Sequence, residues 1–164
     1  MIFKQAIISA TLIGMLHVSA SAAKVDDSAV ISPTKMQSVT TKKLVDLLAS
    51  RHYRNLSVDD QLSSAFLDEY LSSLDPTRMF FLASDVAEFE KHKFRFDDDF
   101  KRGDLKYGFS IYERYRQRLT DRLSKVVAQL EDPSVKFDFT KDDSVEVDRE
   151  KAAWAIDQKQ ADEL

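Results

Sequence analysis

The chain of 164 residues has no cysteine, three glycines and three histidines. Without cysteine there is no disulfide, no thiolate nucleophile and no thiolate zinc site. The glycines are Gly14, Gly103 and Gly108. Phosphate-cradling loops and nucleophile elbows need clustered glycines where backbone approaches ligand, so neither motif fits. Long apolar runs are also missing. The longest, Ala6 to Leu16 (AIISATLIGML), falls short of the roughly 20 residues that span a bilayer. Excess positive charge is absent too: 24 Lys and Arg face 28 Asp and Glu, which argues against nucleic acid as the main partner.

What the first 22 residues do contain is an export pattern. Lys4 follows the free amine, the apolar run comes next, and Ala20-Ser21-Ala22 offers small residues to a signal peptidase. Residues 1–22 are therefore read as a signal peptide, and the protein as periplasmic; an uncleaved segment would instead hold it at the inner membrane. Cleavage removes one Lys and no acid, so a formal charge of −4 becomes −5. Residues 23–35 are small, polar and without periodicity, and read as a flexible leader.

Residues 36–164 read as a mainly α domain, a bundle of four to five helices with a small C-terminal β-hairpin. A first helix spans about Met36 to Arg54, with Val39, Leu44, Leu47, Leu48 and Tyr53 near one side. Ser57 is the expected cap of a second, whose Leu62, Phe66, Leu67, Tyr70, Leu71 and Leu74 follow three- and four-residue spacing. Pro76 ends it, because the residue before a proline is driven out of the helical region.

Met79-Phe80-Phe81-Leu82 then sits in a short connection, and Ser84-Asp85 signals a third helix to Phe94 burying Val86, Phe89 and Phe94. At least two of the four apolar residues are expected inside and Arg78 at the surface. A short helix follows at Asp97 and closes on Gly103. Asp104 starts the longest helix, with Leu105, Phe109, Tyr112, Leu119, Leu123, Val126 or Val127, and Leu130 as its core stripe. After Pro133 the period changes to two: Val135 to Phe139 and Val145 to Asp148 alternate around TKDDS, a hairpin pattern. Gln158 to Leu164 reads as the opening turns of a helix with no terminator, so the domain is expected to be incomplete at its C-terminal end.

Candidate chemistry is sparse. His52 and His92 lie far apart in sequence, and each reads as structural rather than as a catalytic base. Asp97-Asp98-Asp99 lacks the alternating oxygen ligands and sharp glycine turn of a calcium loop, and reads as a solvated acidic helix start. Glu88 with Glu90, and Asp142 with Asp143, have no evident apolar pocket to separate their pKa values. Tyr107, Tyr112 and Tyr115 with Arg114, Arg116, Arg118 and Arg122 suggest a basic aromatic face. Net negative charge favours a plainer reading, with Tyr112 in the core and the arginines on a wet face paired with nearby acids. No catalytic, cofactor-binding or metal-ligating residue is assigned.

Three blocks carry a resemblance: SRHYRNLSVDDQLSSAFLDEYLSSLDPTRMFFLASDVAEFEK, GDLKYGFSIYERYRQR and FDFTKDDSVEVDREKAAW. In order and spacing, over about Thr40 to Leu164, the chain resembles the N-terminal domain of bacterial tail-specific proteases, of the carboxyl-terminal processing peptidase family. One departure is Ala153, where the family favours proline before the tryptophan. The resemblance implies a periplasmic serine endopeptidase that degrades or trims proteins recognised by their C-terminal tails. It further implies PDZ and peptidase domains after this region, a Ser-Lys catalytic pair outside these residues, and a role for the helical domain in substrate access or in docking a tetratricopeptide-type lipoprotein adaptor. A stand-alone periplasmic helical module that binds proteins or peptides is the alternative.

Overall fold

In the computed structural model the described residues are 30–53, 57–142 and 144–164. The segment read as a signal peptide lies outside them. Among these residues six helices follow one another: α1 (Lys35–Arg51), α2 (Asp60–Leu74), α3 (Ala83–Glu90), α4 (Phe96–Arg102), α5 (Lys106–Glu131) and α6 (Gln158–Asp162). Among the described residues there is no strand, and the one sheet-like contact is an isolated parallel bridge between Leu82 and Ala155. The expected hairpin is thus corrected. The described residues of its two alternating stretches carry no regular structure and do not pair, and a lone two-stranded ribbon has too little to bury against to hold in water.

Helix starts follow local chemistry. Thr34, read as leader, caps α1: its Oγ1 accepts from the Gln37 N–H at 3.2 Å while Gln37 Oε1 accepts from the Thr34 N–H at 2.8 Å. This reciprocal pair satisfies two otherwise orphaned amides. Asp59 rather than Ser57 caps α2, accepting from Gln61 and Leu62 N–H at 3.1 Å each. The carboxylate also meets the positive end of the helix, which a serine does not. α3 begins one residue before Ser84, with Leu82 at its cap position and Asp85 accepting the Leu82 N–H at 3.1 Å.

α4 ends on Gly103 at φ 71°, where a Cβ would lie 2.7 Å from the Ser38 carbonyl oxygen of α1. Glycine there serves both the left-handed terminus and the close packing of α4 on α1. α6 is capped by Asp157, whose Oδ1 accepts from the Gln160 N–H at 2.8 Å.

The core is built from Leu67 and Leu71 of α2, Phe81 of the α2–α3 connection, Phe89 of α3, Phe96 of α4 and Ile111 of α5. Phe66, Tyr70, Leu74, Val86, Tyr107, Tyr115 and Trp154 pack around them. The α2 stripe thus lies as its spacing requires. Elsewhere the expected faces shift. Of α1, Val45 is buried while Val39, Leu44, Leu47 and Tyr53 are exposed; Phe94, beyond the end of α3, is exposed too.

α5 departs most: Ile111 is its buried residue, and Leu123, Val126, Val127 and Leu130 all face outward. No described helix is long and apolar enough to cross a membrane.

Candidate functional site

The connection between α2 and α3 is organised around a buried carboxylate. Asp75 is fully buried, and its carboxylate accepts three backbone N–H groups, from Met79 at 2.9 Å, Phe80 at 2.8 Å and Phe81 at 3.0 Å. One side chain thereby satisfies the amides of a tight loop that no helix or sheet would satisfy. Phe81, with no exposed surface, then drops into the core against Phe89, Tyr115 and Trp154, with ring centroids 5.5, 5.8 and 6.0 Å away. Leu82 is buried as well, so two of the four apolar residues are inside, as expected.

Arg78 is not a surface residue. At φ 52° it sits in the left-handed region, half-buried, with its guanidinium donating to the Ala152 carbonyl at 2.6 Å and lying 5.0 Å from the Trp154 ring centroid. A cation over indole while bonded to a carbonyl fixes the 149–155 segment against the loop. Arg149 adds a bond to the Thr77 carbonyl at 3.2 Å. The turn at Ala153 thus holds without the expected proline.

The second buried carboxylate is Asp85, 1% exposed. Arg114 donates to its Oδ1 at 2.5 Å; Arg118 donates through Nε to Oδ2 at 2.9 Å and through Nη2 to Oδ1 at 3.0 Å. The Arg118 contact is a two-point fork, the geometry that suits guanidinium and carboxylate. Burial alone would raise the Asp85 pKa. Bonds from Arg118, the Leu82 N–H and Arg114 outweigh it and hold the carboxyl below its ordinary value.

One turn further along α5, Arg122 donates to the carbonyls of Met79 at 2.8 Å and Ala161 at 2.9 Å. Arg114, Arg118 and Arg122 recur every four residues and so share one face of α5. That face points inward onto α3, the α2–α3 loop and α6. The wet-face reading of these arginines is corrected: they clamp the fold. Arg116 lies off this row and pairs with Glu113 at 3.1 Å.

The remaining candidates are structural. His92 Nε2 lies 2.7 Å from Asp99 Oδ2, and its ring stacks on Tyr107 at 3.8 Å. Asp99 also binds Arg102 at 2.6 Å, and Asp97 binds Lys101 at 2.8 Å. Asp97 and Asp99 are buried, so the acidic start of α4 is not a solvated one as expected; Asp98 alone faces water. Burial would raise the Asp97 pKa, yet the Lys101 bond and backbone amides bring it below the ordinary value.

Ser63 donates its hydroxyl to the Lys93 carbonyl at 2.7 Å and accepts the Phe96 N–H at 2.8 Å, pinning α2 to the α3–α4 turn. His52 lies against Tyr53, ring centroids 4.7 Å apart, and Glu88 and Glu90 are exposed. Among the described residues, no group of three His, Cys, Asp or Glu side chains is placed to hold a metal. Val45, Leu48, Val58, Leu62, Phe66 and Phe100, with the buried Ser63 and Asp97, line a largely apolar hollow of about 180 Å³ between α1, α2 and α4, and among the described residues Asp97 Oδ1 has no hydrogen-bond partner.

Fold and junction together define a helical domain whose buried charges are spent on holding its own loops. A sequence model of the family described as "Tail specific protease N-terminal domain" matches residues 44–164. The chain belongs to this family. It is 30% identical over 142 residues to the tail-specific protease of Haemophilus influenzae (strain ATCC 51907 / DSM 11121 / KW20 / Rd). The match covers 86% of this chain and 20% of that protein, so the chain spans about a fifth of the length of that relative.

Proposed function

We propose that this chain is the non-catalytic N-terminal domain of a periplasmic tail-specific serine endopeptidase, which degrades or trims proteins recognised by their C-terminal tails. Its role is to support PDZ and peptidase domains that follow, and to present helical surface for substrate access or for a tetratricopeptide-type lipoprotein adaptor.

The observation that carries this reading is how the polar groups are used. Asp75, Asp85, Asp99, His92 and the α5 arginines are occupied by backbone or by each other, while apolar side chains of α1 and α5 face outward. A domain so arranged is rigid inside and adhesive outside, which suits a support better than a centre of chemistry. Family membership and the likeness to a protease of which the match covers 20% support it. The basic start, apolar run and Ala20-Ser21-Ala22 pattern support export.

Degradation of a tailed model substrate by the whole protease, with and without residues 36–164, tests the proposal. Loss of degradation on deletion, and on placing aspartate at Leu123 and Val127 without change in this domain's unfolding midpoint, is the expected result. Undiminished degradation by the deleted protease contradicts it. Export is checked by the mass of the mature protein, which should begin after Ala22.

The exposed face of α5 favours a second reading, a stand-alone periplasmic module that binds proteins or peptides. Stoichiometric binding of peptides by the chain alone, with no effect on any protease, would select it.

A further inference from the structure

Residues 132–149 join α5 to the segment clamped by Arg78, and they carry a strand pattern with no strand among the described residues. Val135, Phe137 and Phe139 fall on alternate positions, as do Val145 and Val147, so in extended chain each set shares a face. All five are exposed, Phe139 by 92% and Val147 by 89%. The backbone bonds described within the stretch are local turns, Val135 N–H to the Asp132 carbonyl at 3.1 Å and Thr140 N–H to Asp138 Oδ1 at 3.0 Å.

This is not a loose tail. α5 fixes one end at Glu131, and at the other Arg149 binds the Thr77 carbonyl while Arg78 binds the Ala152 carbonyl. Just beyond, Ala83 donates its N–H to the Ala155 carbonyl at 2.8 Å, making the Leu82–Ala155 bridge. The chain is already in sheet-type pairing at its C-terminal flank.

Charge narrows the partner. Asp132, Asp138, Asp142, Asp143, Glu146 and Asp148 outnumber Lys136, Lys141 and Arg149, and Arg149 is turned back onto the Thr77 carbonyl. Natural sheet edges are commonly guarded by lysine, and an acid-rich strand with alternating apolar residues complements such an edge. A loop this short gains most when its partner is tethered to it, since linkage within one polypeptide supplies an effective concentration of about a millimolar. In the relative, the matched region is 20% of the polypeptide.

We propose that residues 135–147 become strand by adding to a lysine- or arginine-bordered open sheet edge in the remainder of the longer protease polypeptide. Backbone hydrogen bonds fasten the domain there, and Phe137, Phe139, Val145 and Val147 fill the pockets beside that edge. This rests on the reading of the chain as the N-terminal domain of a protease.

Amide hydrogen exchange of residues 135–147, in the 164-residue chain and in the polypeptide continued into the protease, tests it. The longer protein should slow exchange in this stretch by about tenfold or more. Val145→Pro, which removes one ladder donor, should abolish that protection while leaving the unfolding midpoint of the shorter chain unchanged. Equal exchange in the two proteins overturns the proposal, as does protection that survives Val145→Pro. Protection that appears in the shorter chain on concentrating it, through pairing of two copies, also overturns it. Proteolysis of a tailed substrate is measured in parallel. A polypeptide that shows the protection but no dependence of proteolysis on this domain would refute the functional reading and leave the strand addition standing.

Discussion

The two halves of α5 are one continuous helix in opposite surroundings. From Tyr107 to Arg122 the helix is held on every inward turn: Tyr107 and Ile111 enter the core, and Arg114, Arg118 and Arg122 grip Asp85 and the carbonyls of Met79 and Ala161. From Leu123 to Glu131 its apolar residues, more regular in spacing than those of the first half, stand in water, with Leu130 64% exposed. Lys125 ties this half to Asp162 by one exposed ion pair, worth little in stability. Hydrophobic periodicity records which residues share a face. It does not record which face the rest of the chain covers.

The largest effect expected from breaking the buried half comes from Phe81→Ala, which empties a fully enclosed aromatic site and should cost about 3–5 kcal/mol of unfolding free energy in urea titrations. Asp85→Asn comes next. It leaves two guanidiniums facing a neutral amide and should cost about 3 kcal/mol, at the low end for a broken buried pair because the arginines keep part of their water.

The same carboxylate sets a pH dependence. Its folded pKa lies below its unfolded value, so on acidification the unfolded chain takes up the proton first. The stabilisation is complete above the unfolded carboxylate range and is lost as pH falls through the folded pKa. Urea midpoints measured from pH 6 downward should fall below about pH 4, and Asp85→Asn should flatten that slope.

Gly103→Ala forces a left-handed alanine whose Cβ meets the Ser38 carbonyl of α1, and should cost about 1–2 kcal/mol or more by the same titration. At the small end, Leu130→Gln on the exposed half should change stability by no more than about 0.5 kcal/mol.

The sequence makes some parts of this fold plain and hides others for physical reasons. α2 is legible because its stripe and the Asp75-Pro76 stop agree and its face is in fact covered, although its cap is Asp59 and not the expected Ser57. Phe81 and Leu82 are legible because large apolar residues in a short connection have little choice but to turn inward. The arginine row is not legible. A buried arginine needs partners, and these come from α3, the α2–α3 loop and α6, 29 to 43 residues away along the chain in the bonds to Asp85, Met79 and Ala161. No local pattern announces them, although the four-residue recurrence of Arg114, Arg118 and Arg122 was a usable signal.

Asp97 and Asp99 were obscured in the same way, since their burial depends on Lys101, Arg102 and His92 being in place. The hairpin reading took alternation at residues 135–147 as proof of pairing. Alternation shows only that the chain is suited to pair. The family, by contrast, was legible from the blocks around Asp75-Pro76 and Trp154, which the fold brings together at Arg78.

α5 holds the fold through its arginine row and not through its apolar stripe. Urea unfolding of Arg118→Ala and Leu123→Ala, side by side with the unaltered chain at neutral pH, tests this most directly. Arg118→Ala should unfold at a clearly lower urea concentration, and Leu123→Ala should overlay the unaltered chain. A Leu123→Ala midpoint that falls as far as that of Arg118→Ala, or further, would contradict the account.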